Sequence, residues 1–280
     1  MSAAPQTEAA RVAMDKDADA AVLRADVDAV AVLTLNRPAQ RNSLSLAMMA
    51  ALQAQLDALA QDDTVRCVVL AAAGPVFCAG HDLKEVTAAR AGADAGRALF
   101  TETMAACGRL MQSIVALPQP VIASVQGVAT AAGCQLVATA DLAVVAASAR
   151  FCTPGVDIGL FCSTPAVALS RAVPRKAALE MLLTGDMVGA EAARAMHLVN
   201  RVVPDAELAD ATLDLARQIA GRSGLAVRMG KRAFHRQSGL PLAEAYALAG
   251  EVMVENLLAE DAAEGIGAFV AKRSPEWRHR

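Results

Sequence analysis

The sequence predicts an α/β fold, with strands and helices alternating through the first two thirds of the chain and a helical region after them. Three observations carry this. Short Val- and Ala-rich runs alternate with amphipathic segments between about residues 29 and 146. Two of those runs end in glycine-flanked turns that open directly onto helix-forming segments, at residues 74–85 and 126–135. From residue 205 onward helical periods dominate and no clear strand remains.

Residues 1–17 are rich in Ala, Ser, Thr, Asp and Lys and read as a disordered lead-in. They lack the apolar run of a signal peptide, and their acidic residues argue against a transit peptide. Residues 29–36 (AVAVLTLN) alternate apolar with small or polar side chains and read as a strand, ended by Arg37-Pro38 because proline cannot donate to a ladder. Ser45 can cap a helix that runs to about Gln61, with Met48, Met49, Leu52, Leu56 and Leu59 at helical spacing. A strand at 67–72 (CVVLAA), a turn at 73–81 and a short helix from Asp82 follow. A longer helix spans about 96–116, a strand 120–125, a short helix 132–138 and another strand 142–146. The repeated strand–turn–helix order suggests a repeated unit. Residues 18–204 are therefore read as the core and 205–280 as a helical oligomerisation region, with breaks near 221–224, 239–241 and Asp261. Apolar faces on such helices are usually covered by another element or another subunit.

With 55% hydrophobic and 20% charged residues over 280 positions, a substantial core can form. Only 3% of the chain is aromatic, so Ala, Val, Leu and Met must build it. A net charge of −3 gives no basic surface for nucleic acid. No uninterrupted apolar run reaches the roughly 18 residues that a membrane-spanning helix needs. The six cysteines show no close C-x-x-C pair and no zinc-ligand spacing, so no metal is expected. They read as buried, reduced thiols, which places the protein in the cytoplasm.

The two glycine turns are the chemically informative feature. A strand that runs through a tight turn into a helix aims free backbone N–H groups at one point, which suits a developing negative charge. Two converging donors make an oxyanion hole. Cys134 and Cys152 have no neighbouring base in the sequence, so packing explains them better than nucleophilic chemistry.

The motifs LNRP at 35–38 with RNSL at 41–44, FCAGHDL at 77–83 and residues 127–135 occur in a specific order. They are followed by ADL at 140–142, FCTP at 151–154 and AFVAKR at 268–273. Together they resemble the crotonase (enoyl-CoA hydratase/isomerase) superfamily over roughly residues 20–275. The resemblance implies a crotonase-like spiral of ββα repeats with a C-terminal helical region, assembled as a homotrimer or homohexamer. It implies an acyl-CoA thioester ligand, with coenzyme A as part of the substrate and no further cofactor. By the same correspondence, the oxyanion-hole donors are the backbone N–H groups of His81 and Ala132. Arg41, Ser43, Ala79, Asp82, Leu83, Thr130, Phe269 and Lys272 fall at positions that contact substrate or CoA. Of these, Arg41 and Lys272 would meet the CoA phosphates, with Lys272 reaching from the C-terminal region of its own or of a neighbouring subunit.

The two glutamates that move protons in the family's hydratases correspond to Gln135 and Gly155, and the extra carboxylate of its dienoyl isomerases to Ser163. Gln135 can hold water but cannot take its proton, and Gly155 has no side chain. Asp157 is the nearest carboxylate. Two residues on along a strand it would share the face of Gly155; alternatively it supports the turn at Gly159. The His81 imidazole either meets substrate or fills space. Three functions fit this pattern. One is a nominal enoyl-CoA hydratase/isomerase with little ordinary hydratase activity. Another is a decarboxylase or isomerase that uses the hole without a glutamate pair. The third is a non-catalytic acyl-CoA sensor or partner module.

Overall fold

The computed structural model describes residues 19–280, so the expected lead-in at 1–17 lies outside the described residues. Val22–Val27 (β1) and Val30–Leu35 (β2) pair antiparallel, with Val22 opposite Leu35 and Val27 opposite Val30. β1 had no counterpart in the sequence reading; its polar, half-exposed residues make a weak period. Ser45 caps Leu46–Leu59 (α1) by accepting from the Met48 N–H at 3.1 Å, and all five apolar residues expected on its inner face are buried.

Cys67–Ala72 (β3), Val121–Val125 (β4), Leu142–Ala146 (β6) and Arg201–Val203 (β9) extend the hairpin into one six-stranded sheet, β1-β2-β3-β4-β6-β9. Every pairing after the first is parallel, which explains why β3 and β4 are continuous apolar runs rather than alternating ones. A second, three-stranded sheet joins Val128–Thr130 (β5), Arg150–Cys152 (β7) and Val188–Gly189 (β8), with β5 and β7 parallel.

The chain climbs between these sheets in repeats. β3 leads to a bridge from Cys78 to Ala129 at the edge of the small sheet, then to Leu83–Ala89 (α2) and Arg97–Ala116 (α3). β4 leads to β5 and Ala132–Thr139 (α4). β6 leads to β7, then to Ser163–Ala172 (α5) and Arg175–Thr184 (α6). Each turn thus gives one strand to the large sheet, one strand or bridge to the small one, and then helix: a spiral of ββα units. Phe77 and Phe151 are fully buried between the layers.

After Ala190–Ala195 (α7) and β9, Leu208–Ala220 (α8) lies on the large sheet and adds Leu208, Leu215 and Ala216 to the core. Gly224–Gln237 (α9) is pinned to the sheet through Lys231. Its ammonium is buried and donates to Asp141 at 2.6 Å and to the carbonyls of Ile114 and Gln119. Leu242–Leu258 (α10) and Glu260–Val270 (α11) complete the chain. The helix break expected near Asp261 falls at Ala259. Asp261 sits in the first turn of α11, where it is buried and accepts from Ser223 Oγ and the Arg278 and His279 N–H groups.

Candidate functional site at the crossing of two turns

The turn after β3 and the turn after β4 touch backbone to backbone. Cys78 donates to the Val128 carbonyl at 3.2 Å, and its own carbonyl accepts from Thr130 at 3.0 Å. Glycine is required where they cross. A Cβ on Gly127, at φ +60°, would stand 1.9 Å from the Pro75 carbonyl oxygen, and one on Gly133 would stand 2.2 Å from that of Cys78. These contacts bring the Ala132 N–H beside Gly80, with only 3.3 Å between Ala132 N and the place a Gly80 Cβ would take.

The His81 and Ala132 N–H groups therefore stand near one another, and neither donates to an acceptor among the described residues. Ala132 opens α4, so it has no intrahelical acceptor and lies at the positive end of the helix dipole. The residue that aims it is strained. Ala131 has φ 51° and ψ −117°, a conformation costing about 1–3 kcal/mol for a residue with a side chain, and its N–H is tied to the Cys152 carbonyl at 2.9 Å.

Asn42, fully buried, holds the His81 side of the crossing. Its Oδ1 accepts from Arg37 N–H at 2.8 Å, and its Nδ2 donates to the carbonyls of Ala73 and Val76, both at 2.9 Å. Next to it, the Arg41 carbonyl accepts from Ala79 N–H, and Leu44 N–H donates to the Gly80 carbonyl. Asn42 escaped the sequence reading as a site residue, although it stands inside the RNSL motif. The His81 ring nitrogen Nδ1 lies 3.3 Å from the Leu44 carbonyl, while Nε2 is buried without a partner. Burial lowers the imidazole pKa below its ordinary 6.5, outweighing the Leu44 carbonyl and Glu85, so the ring is neutral and Nδ1 carries the proton.

Gln135 is 4% exposed, one helical turn beyond Ala132 on α4. The Cys107 thiol on α3 donates to its Oε1 at 3.7 Å. Gly155 is buried, and its position is filled: a Cβ there would lie 2.9 Å from Cys162 Sγ and 3.1 Å from the Leu160 carbonyl oxygen. The expectation that Asp157 shares a strand face with Gly155 is corrected. Pro154–Ile158 is a 3₁₀ helix, in which residues two apart point in different directions, and the exposed Asp157 carboxylate lies over Gly185 instead.

All six cysteines are free and buried. Burial pushes the thiol of Cys107 up to about 11 and that of Cys78 to about 12, and also raises those of Cys134, Cys152 and Cys162. None is poised as a nucleophile. Cys162 and Cys107 acquire their places only through tertiary contacts, so the sequence offered no signal for either.

The expected ligand-contacting residues fall into two groups. Around the first turn, Ser43 Oγ lies 3.4 Å from Asp82 Oδ2, and Asp82 caps α2 through the Lys84 N–H. Leu83 and Arg41 are exposed, Ala79 is half-buried, and Thr130 Oγ1 accepts from the Cys152 thiol at 3.2 Å. Phe269 and Lys272 belong to the C-terminal region: Phe269, on α11, is 85% exposed, and Lys272 follows the helix end at φ 53°. Neither shares a hydrogen bond with the two turns. Ser163 starts α5, exposed. Among the described residues no group of His, Cys, Asp or Glu is placed to hold a metal, and no helix is long and apolar enough to cross a membrane.

Comparison with known proteins agrees with this architecture. The chain is 46% identical over 253 residues to human enoyl-CoA hydratase domain-containing protein 3, covering 90% of this chain and 82% of that one. The crystal structure of that human protein superimposes with a TM-score of 0.87, covering 92% of this chain and all of that one at 45% identity. An enoyl-CoA hydratase from Mycobacterium smegmatis superimposes with a TM-score of 0.88 at 50% identity, covering 92% of this chain and 98% of that one.

These relatives correct the cytoplasmic expectation. The human protein and its counterparts from rat, clawed frog and zebrafish are named as mitochondrial, so the cytoplasmic expectation is not kept. Buried reduced thiols require only a reducing compartment and do not tell the two apart. The enoyl-CoA hydratase/isomerase family model matches residues 26–280, nearly the whole described chain, and with the ββα spiral and the paired turns it shows that this chain belongs to that family, the crotonases.

Proposed function

We propose that this protein binds acyl-CoA thioesters at the crossing of the two turns, with the thioester oxygen accepting from the His81 and Ala132 N–H groups. We propose further that its chemistry is confined to stabilising negative charge on that oxygen. The observation that carries the reading is the contrast within one site. Two N–H groups are left without acceptors at a glycine crossing, while the positions expected for proton-moving carboxylates hold an amide at Gln135 and a closely packed glycine at 155. An N–H pair of this kind contributes about 100- to 1000-fold per donor to a reaction passing through an enolate or oxyanion. Protein-mediated proton transfer, worth roughly 100- to 10,000-fold per group, is what a hydratase would lack here. Coenzyme A enters as part of the ligand and no further cofactor is required.

Arg41, Ser43, Ala79, Asp82, Leu83 and Thr130 would contact the ligand from the same subunit. Phe269 and Lys272 would do so only from a neighbouring one, in a homotrimer or a pair of trimers. The exposed apolar side chains of α10 and α11, among them Leu242, Tyr246, Leu258 and Val270, support that assembly.

Calorimetric titration with butyryl-CoA, paired with an absorbance assay of crotonyl-CoA hydration, tests the reading. Saturable binding is expected, with hydration at least 100-fold below rates usual for enzymes of this family. Hydration at usual rates would refute the proposed limit on its chemistry, and absence of binding would refute the ligand.

A further inference from the structure

We propose that Gln135 selects for acyl-CoA thioesters carrying an acceptor oxygen at C3, the 3-oxoacyl or malonyl class, by presenting its side-chain N–H₂ to that oxygen. The inference rests on the proposed thioester site and adds to it the identity of the acyl group.

The orientation of the amide is the starting point. Gln135 is all but fully buried, and among the described residues its side chain has one hydrogen-bond partner, the Cys107 thiol, 3.7 Å from Oε1. That thiol is itself buried and holds its proton at any physiological pH, since burial pushes it up to about 11. The protonated thiol donates to the amide oxygen, which leaves the N–H₂ on the side of the amide away from it. Nε2 makes no hydrogen bond among the described residues, and it is not fully enclosed. A donor that is almost buried, unpaired and still reachable is costly unless something accepts from it.

Its place relative to the hole decides what that acceptor is. Gln135 is three residues beyond Ala132 on the same helix, so the two share a face, with about 5–6 Å between their Cβ atoms. An acyl group whose thioester oxygen meets Ala132 N–H places C3 and its substituents roughly at that separation. A glutamate there would accept a proton from water; Gln135 can accept none and offers two hydrogens. A saturated acyl chain would leave both unpaired. A carbonyl or carboxylate oxygen at C3 would pair one of them, a preference worth about 3- to 10-fold in affinity for a neutral hydrogen bond.

The test is the ratio of dissociation constants for butyryl-CoA over acetoacetyl-CoA and over malonyl-CoA, measured by calorimetry on the full chain. The wild type is expected to favour at least one C3-oxygen ligand by 3-fold or more; the two arms show whether the ketone or the carboxylate is the one accepted. Gln135→Met should bring both ratios to about 1. Cys107→Ala, which frees the amide to turn, should lower the favoured ratio, and Cys107→Ser, which keeps a donor facing Oε1, should retain it. Equal affinity for butyryl-CoA and both oxygenated ligands in the wild type overturns the inference while leaving the thioester site standing. So does a preference that survives Gln135→Met, or, if that variant does not fold, one indifferent to both Cys107 variants. Failure to bind butyryl-CoA or either oxygenated thioester removes the site itself.

Discussion

Cys162 Sγ occupies the space into which a side chain at Gly155 would grow, 2.9 Å from the position of its Cβ. The Leu160 N–H also donates to the Gly155 carbonyl at 2.8 Å, folding the 155–162 loop back onto itself. In the sequence alone Gly155 reads as a glutamate position left empty. In the fold it is a position that has been closed.

Restoring the carboxylates is therefore expected to need a third change. Gln135→Glu/Gly155→Glu alone should remain close to the wild type in crotonyl-CoA hydration, because the new side chain must displace Cys162 and strain the 160–162 backbone, at about 1–3 kcal/mol. Adding Cys162→Ala removes the Sγ and should raise hydration at least 10-fold over the double variant. A double variant already as active as the triple would show that the loop yields freely.

The glycine crossing makes a sharper stability prediction. Gly133→Ala puts a Cβ 2.2 Å from the Cys78 carbonyl oxygen and 2.8 Å from the Cys78 Cβ, both fixed by the bridge to Ala129. Denaturant unfolding should show a loss of roughly 1–3 kcal/mol or more, with thioester affinity falling as Ala132 moves. Gly230→Ala is the matched control. It lies in the middle of α9, its Cβ would meet nothing within 4 Å, and it should stabilise by about 0.4–1 kcal/mol. Equal effects at the two sites would mean that the crossing is not tightly packed.

Asn42 should behave as a positioning residue. Asn42→Asp keeps the acceptor for Arg37 N–H but turns a carboxylate toward the Ala73 and Val76 carbonyl oxygens, in a fully buried place. The expected cost is about 3 kcal/mol or more, since two donors are lost and a charge is buried. Butyryl-CoA affinity should fall with it, because the same loop holds Ala79 and Gly80. Unchanged affinity in a folded variant would separate Asn42 from the site.

Much of this arrangement was legible in the sequence, and what was not has a common cause. Ser45, the α1 face from Met48 to Leu59, and the strand bounds 67–72 and 142–146 are local features, set by capping chemistry and by apolar runs, and the structure reproduces them. The two turns were legible because glycine is demanded wherever backbones touch. The short strands β5, β7 and β8 carry too few residues to show a period, and they exist only because the spiral brings them together. Asp157 was misplaced for the same reason: a Thr-Pro-Gly-Val run reads as extended, whereas Pro154 opens a 3₁₀ turn that closes on Gly159. Cys107 against Gln135, and Cys162 against Gly155, are contacts between side chains far apart in the chain. No spacing rule could have paired them.

The neutral His81 ring predicts an acid-side loss of stability. Its folded pKa lies below the ordinary 6.5, so below about pH 6.5 the unfolded chain binds a proton that the folded chain refuses. Stability contributed in this way is complete above the unfolded pKa and falls as the pH drops through it, by at most about 1.4 kcal/mol per pH unit. His81→Asn removes the titrating group while leaving an N–H able to reach the Leu44 carbonyl. The difference in unfolding free energy between wild type and variant should therefore move against the wild type between pH 6.5 and 5, and stay level from pH 7 to 8. Subtracting the variant also cancels His279, whose pKa is likewise lowered by burial and which both proteins share. A difference that is flat across the whole range would mean that the His81 ring takes up its proton in the folded state, with Nε2 finding an acceptor as it does so.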